Sequence, residues 1–152
     1  MAYDIETADK DRIQYIVVKV GSEQYGIDIG YIDNIVRMSK ITRVPKVQPY
    51  FQGIINLRGE VVPVMSIRRK MGLEDDEYTN STRIVILKVE NSGAIGIIVD
   101  AVKEVVTLSK DEIDSQPHNG KENNFINGVG KNAEELISLL DINAVLDDNI
   151  VG

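Results

Sequence analysis

The chain is written twice, and this limits what it can fold into more than any other feature. From Gln14 it runs QYIVVKVGSEQYGIDIGYIDNIVRMSK, and from Arg83 it runs RIVILKVENSGAIGIIVDAVKEVVTLSK. Lys19 and Val20 fall on Lys88 and Val89. After a one-residue slip in the turn, Gly26, Ile27, Ile29, Ile35, Val36, Ser39 and Lys40 fall on Gly96, Ile97, Val99, Val105, Val106, Ser109 and Lys110, a constant offset of 70. Further on, GIINLRGEVVPVMSI from Gly53 aligns without gaps on GVGKNAEELISLLDI from Gly128, at an offset of 75. Apolar positions meet apolar positions in both blocks, as expected of a repeated structural unit. In 152 residues two such units are each marginal alone, so they are expected to share an apolar interface and fold together.

Each copy reads as β structure. Ile16–Val20 and Tyr25–Ile29 are short β-branched runs across a Gly-Ser-Glu-Gln turn, hence a hairpin, and Ile84–Val89 with Ala94–Val99 repeats it across Asn91-Ser92-Gly93. Short strands with regular turn signals indicate an all-β fold of small barrels or a sandwich. Pro63 lacks an amide donor, which suits its run to an edge strand or a bulge. Helices are minor: Ser66 caps one turn stopped by Gly72, Pro49–Phe51 forms a single turn, and Asp141 caps a final helix over 141–148. The expected layout is a flexible tail over 1–12, a first β unit over about 13–72, an acidic linker over 73–80, a second β unit over about 81–140 and the final helix. Strands can cross between the halves.

Composition removes several functions. There is no cysteine, hence no disulfide framework or thiolate nucleophile. No apolar run approaches the roughly 20 residues of a membrane span, and the start MAYDIETADKDR is unlike a signal peptide, so a cytoplasmic protein without membrane insertion is expected. The net charge of −7 opposes binding to nucleic acid. Arg68-Arg69-Lys70 is the best basic patch, and it reads as the solvated face of a short helix. The one histidine, His118, sits in a loop, and GVGK at 128–131 lacks the first glycine and the Ser/Thr of a phosphate loop. Glu74-Asp75-Asp76-Glu77 reads as a hydrophilic linker, and Ser109 with Glu112 fits a capping box. No catalytic residue, metal ligand or cofactor is nominated. Two rival readings stay open: an enzyme whose carboxylates are assembled from distant positions, and a nucleic-acid-binding small barrel.

The repeat also acts as a control. Where the second copy turns with Lys131-Asn132-Ala133-Glu134-Glu135, the first has Asn56-Leu57-Arg58-Gly59-Glu60. Gly59 supplies a positive φ, Asn56 suits the backbone of a turn, and Leu57 can bury itself. Arg58 has no local reason. Its fork of donors fits either a partner or an internal clasp that ties the loop to the body of the protein.

The segment YFQGIINLRGEVVPVMSIRRKMGL resembles the signature of the CheW family, the coupling proteins of bacterial chemotaxis. EQYGIDIGYIDNIVRMSKITRVP, IGIIVDAVKEVV and FINGVGKNAEELISLLDINAVL also fit that family, in order, from about Arg12 to Val151. The resemblance implies two five-stranded SH3-like β-barrels and a non-enzymatic adaptor role. Its partners would be chemoreceptor cytoplasmic hairpin tips and the regulatory domain of the histidine kinase CheA, with weak self-association in arrays. It implies partner-binding roles for Gly53, Asn56, Leu57, Arg58 and Gly59, and places Ile32 and Ile35 in a groove for a receptor helix. Asn34 departs from the family, where Glu is common, which alters any contact made there. Val105 and Leu108 are candidates for a second interface, or else plain core.

Overall fold

A computed structural model describes residues 12–89, 93–115 and 125–147. The Asn91-Ser92 turn, His118 with most of its loop, and the chain outside 12–147 lie beyond the described residues. Among the described residues are eleven strands: β1 Arg12–Val20, β2 Glu23–Asp28, β3 Ile32–Arg37, β4 Phe51–Leu57, β5 Glu60–Ser66, β6 Arg83–Val89, β7 Gly93–Val99, β8 Ala101–Ser109, β9 Ile113–Asp114, β10 Ile126–Asn132 and β11 Glu135–Leu140. Two single-turn helices, α1 Ile67–Lys70 and α2 Ile142–Val145, complete the all-β fold. They form a six-stranded sheet, β8-β1-β2-β11-β10-β9, and a five-stranded sheet, β3-β6-β7-β5-β4. The sixth strand is the two-residue β9, paired with β10.

The sheets do not follow the sequence halves. Hairpin β1–β2 is completed by β8, β10 and β11, and hairpin β6–β7 by β3, β4 and β5. The exchange keeps the repeat's offsets. β5 joins β7 in parallel with Val64 opposite Gly96, and β11 joins β2 with Leu139 opposite Gly26. Bulges fall at Phe51/Gly53 and again at Ile126/Gly128. Neither the 13–72 unit nor the 81–140 unit therefore holds a complete sheet.

Period-2 alternation explains why β1 and β6 read as nearly continuous apolar runs: both faces are buried. Tyr15 and Val17 face a cluster inside the six-stranded sheet, with Val106, Leu108, Ile137 and Leu139. Ile84 and Ile86 face a cluster inside the five-stranded sheet, with Ile55, Val62, Val64 and Ile98. The intervening Val18, Val20, Val85 and Leu87 meet in a third cluster that draws on both sheets. That seam holds sixteen buried residues against six in each inner cluster. At roughly 1.5–3 kcal/mol per buried aliphatic side chain, most of the apolar stabilisation lies in it.

The capping expectations hold locally. Ser66 Oγ accepts from the Arg69 amide at 3.1 Å, and at the equivalent position Asp141 Oδ1 accepts from the Ala144 amide at 3.2 Å. Helix α2 is one turn ending at Val145, shorter than 141–148, with the Asp147 amide closing on the Ala144 carbonyl at 3.2 Å. Pro63 lies in an internal strand, not at an edge. Its partner Ile54 directs its own amide and carbonyl to Thr42, so this is a pair without mutual bonds. The missing donor thus faces the β7 side, just ahead of the ladder that begins at Val64.

Candidate interaction surface

The β4–β5 hairpin closes with Leu57 opposite Glu60, leaving Arg58 and Gly59 as the two loop residues. Their φ values are +53° and +81°, the positive pair that a type I′ turn requires. Glycine takes the second position freely, but Arg58 is an ordinary L residue in the left-handed region, at roughly 1–2 kcal/mol. The second copy shares only the first of these, with Ala133 at +58° in the place of Arg58 and Glu134, in the place of Gly59, outside the positive-φ region. The fold asks only for a left-handed residue at the tip, so the guanidinium answers to something else. Arg58 is exposed, and among the described residues it makes no hydrogen bond or ion pair, so it is no clasp.

Around the tip, Leu57 is half-buried against the inner cluster of the five-stranded sheet. Asn56 is exposed and, among the described residues, bonds nothing, contrary to the turn-satisfying role expected of it. Beside it Val61 is 64 % exposed, a large apolar side chain that alternation within its apolar run does not mark as outward-facing. Gly53 is buried with φ +144°, and a Cβ there would lie 2.1 Å from the Thr42 carbonyl oxygen. Its role is to let Thr42 reach Ile54, whose paired bonds of 2.9 and 2.8 Å bring the chain leaving β3 back to β4. Gly53 therefore supports the hairpin and is not an exposed contact.

Ile32 and Ile35 are half-buried against the seam cluster, while Leu57 packs on the inner one. The two sets thus belong to different packing environments. Asn34 follows a bulge between Ile32 and Asn34, and its Oδ1 accepts from the Ile35 amide at 2.8 Å. Ile29 and Tyr31, on the 3-10 turn leading into β3, are exposed apolar neighbours not expected from sequence. Leu108 is fully buried core, because it points into the inner cluster; Val105 points outward at 55 % exposure.

The clasp is Arg68, not Arg58. Its Nε and Nη2 donate to Asp100 at 3.1 and 2.5 Å, and the Gly21 amide donates to the same carboxylate at 2.8 Å. α1, the β7–β8 junction and the β1–β2 turn are thereby tied across the seam. Burial pushes the Asp100 carboxyl up, but the bonds from Arg68 and Gly21 outweigh it and hold the group below the usual carboxylate range. Arg69 pairs with Asp75 at 2.9 Å, and the fully buried Lys70 donates to the Asp147 carbonyl at 2.5 Å beneath the Tyr50 ring. The run Arg68-Arg69-Lys70 is thus spent on internal contacts and is no solvated face. Likewise the acidic segment after α1 is strapped down: the Ser66 hydroxyl donates to Asp76, whose carboxyl is pushed up by burial.

Among the described residues there is no group of three or more metal-ligating side chains, and no helix is long and apolar enough to cross a membrane. Two interlocked sheets, a shared apolar seam and an exposed left-handed tip define an all-β interaction scaffold. The family model for the CheW-like domain matches residues 14–149. Chemotaxis protein CheW of Bacillus subtilis is 36 % identical over 149 residues, covering 97 % of this chain and 92 % of that protein. Its counterpart in Helicobacter pylori is 32 % identical over 139 residues, covering 91 % and 84 %. The crystal structure of scaffolding protein TtCheW from Thermoanaerobacter tengcongensis matches with a TM-score of 0.83 at 28 % identity, over 90 % of this chain and 94 % of that one. The chain belongs to the CheW family of chemotaxis adaptors and is not an enzyme.

Proposed function

We propose that this protein couples chemoreceptor cytoplasmic tips to the regulatory domain of the histidine kinase CheA, and that the Arg58 tip is one of its contact points. The observation that carries the reading is Arg58 itself. It is held left-handed and exposed, without an internal partner among the described residues, at a turn the second copy makes with alanine. A guanidinium left exposed and unpaired where the fold accepts alanine is what a binding residue looks like. Asn56 and Val61, exposed and opposite each other just behind the turn, offer polar and apolar contacts beside the tip, and Leu57 anchors it on the inner cluster. Ile32 and Ile35, with Ile29 and Tyr31 beside them, offer apolar anchors for a receptor helix. Recruitment to receptor arrays follows from such contacts.

The test is a titration of Arg58→Ala against receptor-tip and CheA regulatory-domain fragments. A hot-spot arginine costs about 2 kcal/mol, or about thirtyfold in Kd, with an unchanged melting temperature. Affinity unchanged for both fragments would remove Arg58 from the interface.

A further inference from the structure

A second feature is left over once the hairpin tip and the seam are explained. Arg37, Lys40, Arg43 and Lys46 recur at every third residue along the segment leaving β3, in a protein whose net charge is −7. All four are exposed, and among the described residues none makes a hydrogen bond or an ion pair. Two of them, Lys40 and Arg43, line a hollow of about 540 Å³ that Arg69 also lines, with Met38, Ile41 and Tyr78 supplying apolar wall. One carboxylate already meets this wall: Asp75, itself 71 % exposed, takes the Arg69 guanidinium with both oxygens, at 2.9 and 3.3 Å.

We infer that this hollow binds an acidic polypeptide segment, with Lys40 and Arg43 pairing carboxylates and Met38, Ile41 and Tyr78 receiving an apolar side chain between them. The mixed lining decides for a peptide. A phosphate-rich polymer or an anionic bilayer would meet the wider field of a −7 protein, whereas a short segment meets only the local cations. A polyproline-II segment returns to the same face every third residue, roughly 9 Å along, so Lys40 and Arg43 address successive acids of a partner in that conformation. Asp75 occupies one arm of the site in the free protein, and an incoming carboxylate competes with it for Arg69.

The test uses the full chain and a short fluorescein-labelled peptide with glutamate at every third position and leucine between, read by fluorescence anisotropy. The wild type should bind saturably, and Lys40→Glu/Arg43→Glu should weaken binding about tenfold or more. Lys131→Glu, a reversal of the same sign on β10, should leave it within about twofold, and Asp75→Asn should tighten it by a few-fold, since an exposed pair holds little energy. Lys40→Ala/Arg43→Ala, with an unchanged melting curve, guards against a folding artefact. The inference is overturned if the double reversal binds as the wild type does or if a peptide with glutamine for glutamate binds equally well. Retention on phosphatidylserine vesicles or RNA, lost in the same double variant, with no binding of the peptide, would also overturn it.

Discussion

Arg58→Asn turns the tip into Asn-Gly, the pair that type I′ hairpins favour. The wild-type tip holds an ordinary residue at φ +53°. That conformation is disfavoured by roughly 1–2 kcal/mol, much of which asparagine avoids because it tolerates the left-handed region. Arg58 has no internal bond to lose among the described residues, so the fold should gain about 0.5–1 kcal/mol. For a chain of this size that is a rise in Tm of about 1–4 °C, measurable by calorimetry. The same variant should lose about thirtyfold in affinity for the partner that the guanidinium contacts, read by isothermal titration. Ala133→Asn is the matched control, since Ala133 sits at φ +58° in the equivalent turn. It should gain similar stability and keep its partner affinity. A drop in Tm for Arg58→Asn would mean the arginine supports the fold, and the reasoning from strain would be refuted.

Asp100→Asn should lose about 2 kcal/mol, because two charge-assisted bonds from Arg68 and one from the Gly21 amide meet on a carboxylate only 26 % exposed. The folded state holds Asp100 below its ordinary value, so its contribution is complete above the unfolded carboxylate pKa and fades as pH falls through the lower folded one; the gap between wild type and variant in urea melts should close in acid. Asp76 runs the other way. Its folded pKa is raised by burial, so its ionisation opposes folding as pH rises, and Asp76→Asn should stabilise at neutral pH with the advantage gone below the unfolded pKa. Gly53→Ala should destabilise on the order of 3 kcal/mol, seen as a lower urea midpoint, since the new methyl would meet the Thr42 carbonyl and break its bridge to Ile54.

The sequence made local structure legible and long-range partnership illegible. The 70 and 75 offsets reappear in the strand pairing, at Val64–Gly96 and Leu139–Gly26, because equivalent residues fill equivalent places. Caps at Ser66 and Asp141 were readable because a cap bonds three residues along its own chain. The exchange of hairpins between halves was not: alternating apolar residues fix which face is buried, not which strand lies alongside. For the same reason Arg58 and Arg68 could not be told apart as clasps, since Asp100 is 32 residues from Arg68. Val105 and Leu108 looked alike as exposed candidates, yet they point to opposite faces of β8. The strap over α1 was hidden as well, because Glu74–Glu77 carries no periodicity and is held by side chains that sequence treats as solvated. Within the candidate surface, the turn comparison alone singled out Arg58, whereas Val61, Ile29 and Tyr31 emerged only with the exposures.

The most direct test is co-sedimentation of the full chain with a receptor-tip fragment and the CheA regulatory domain, each alone and then together. A scaffold that holds separate surfaces in place brings both into one pellet, and neither fragment sediments with the other in its absence. If the two fragments only ever displace each other from the chain, so that no three-part complex forms, the coupling role is contradicted.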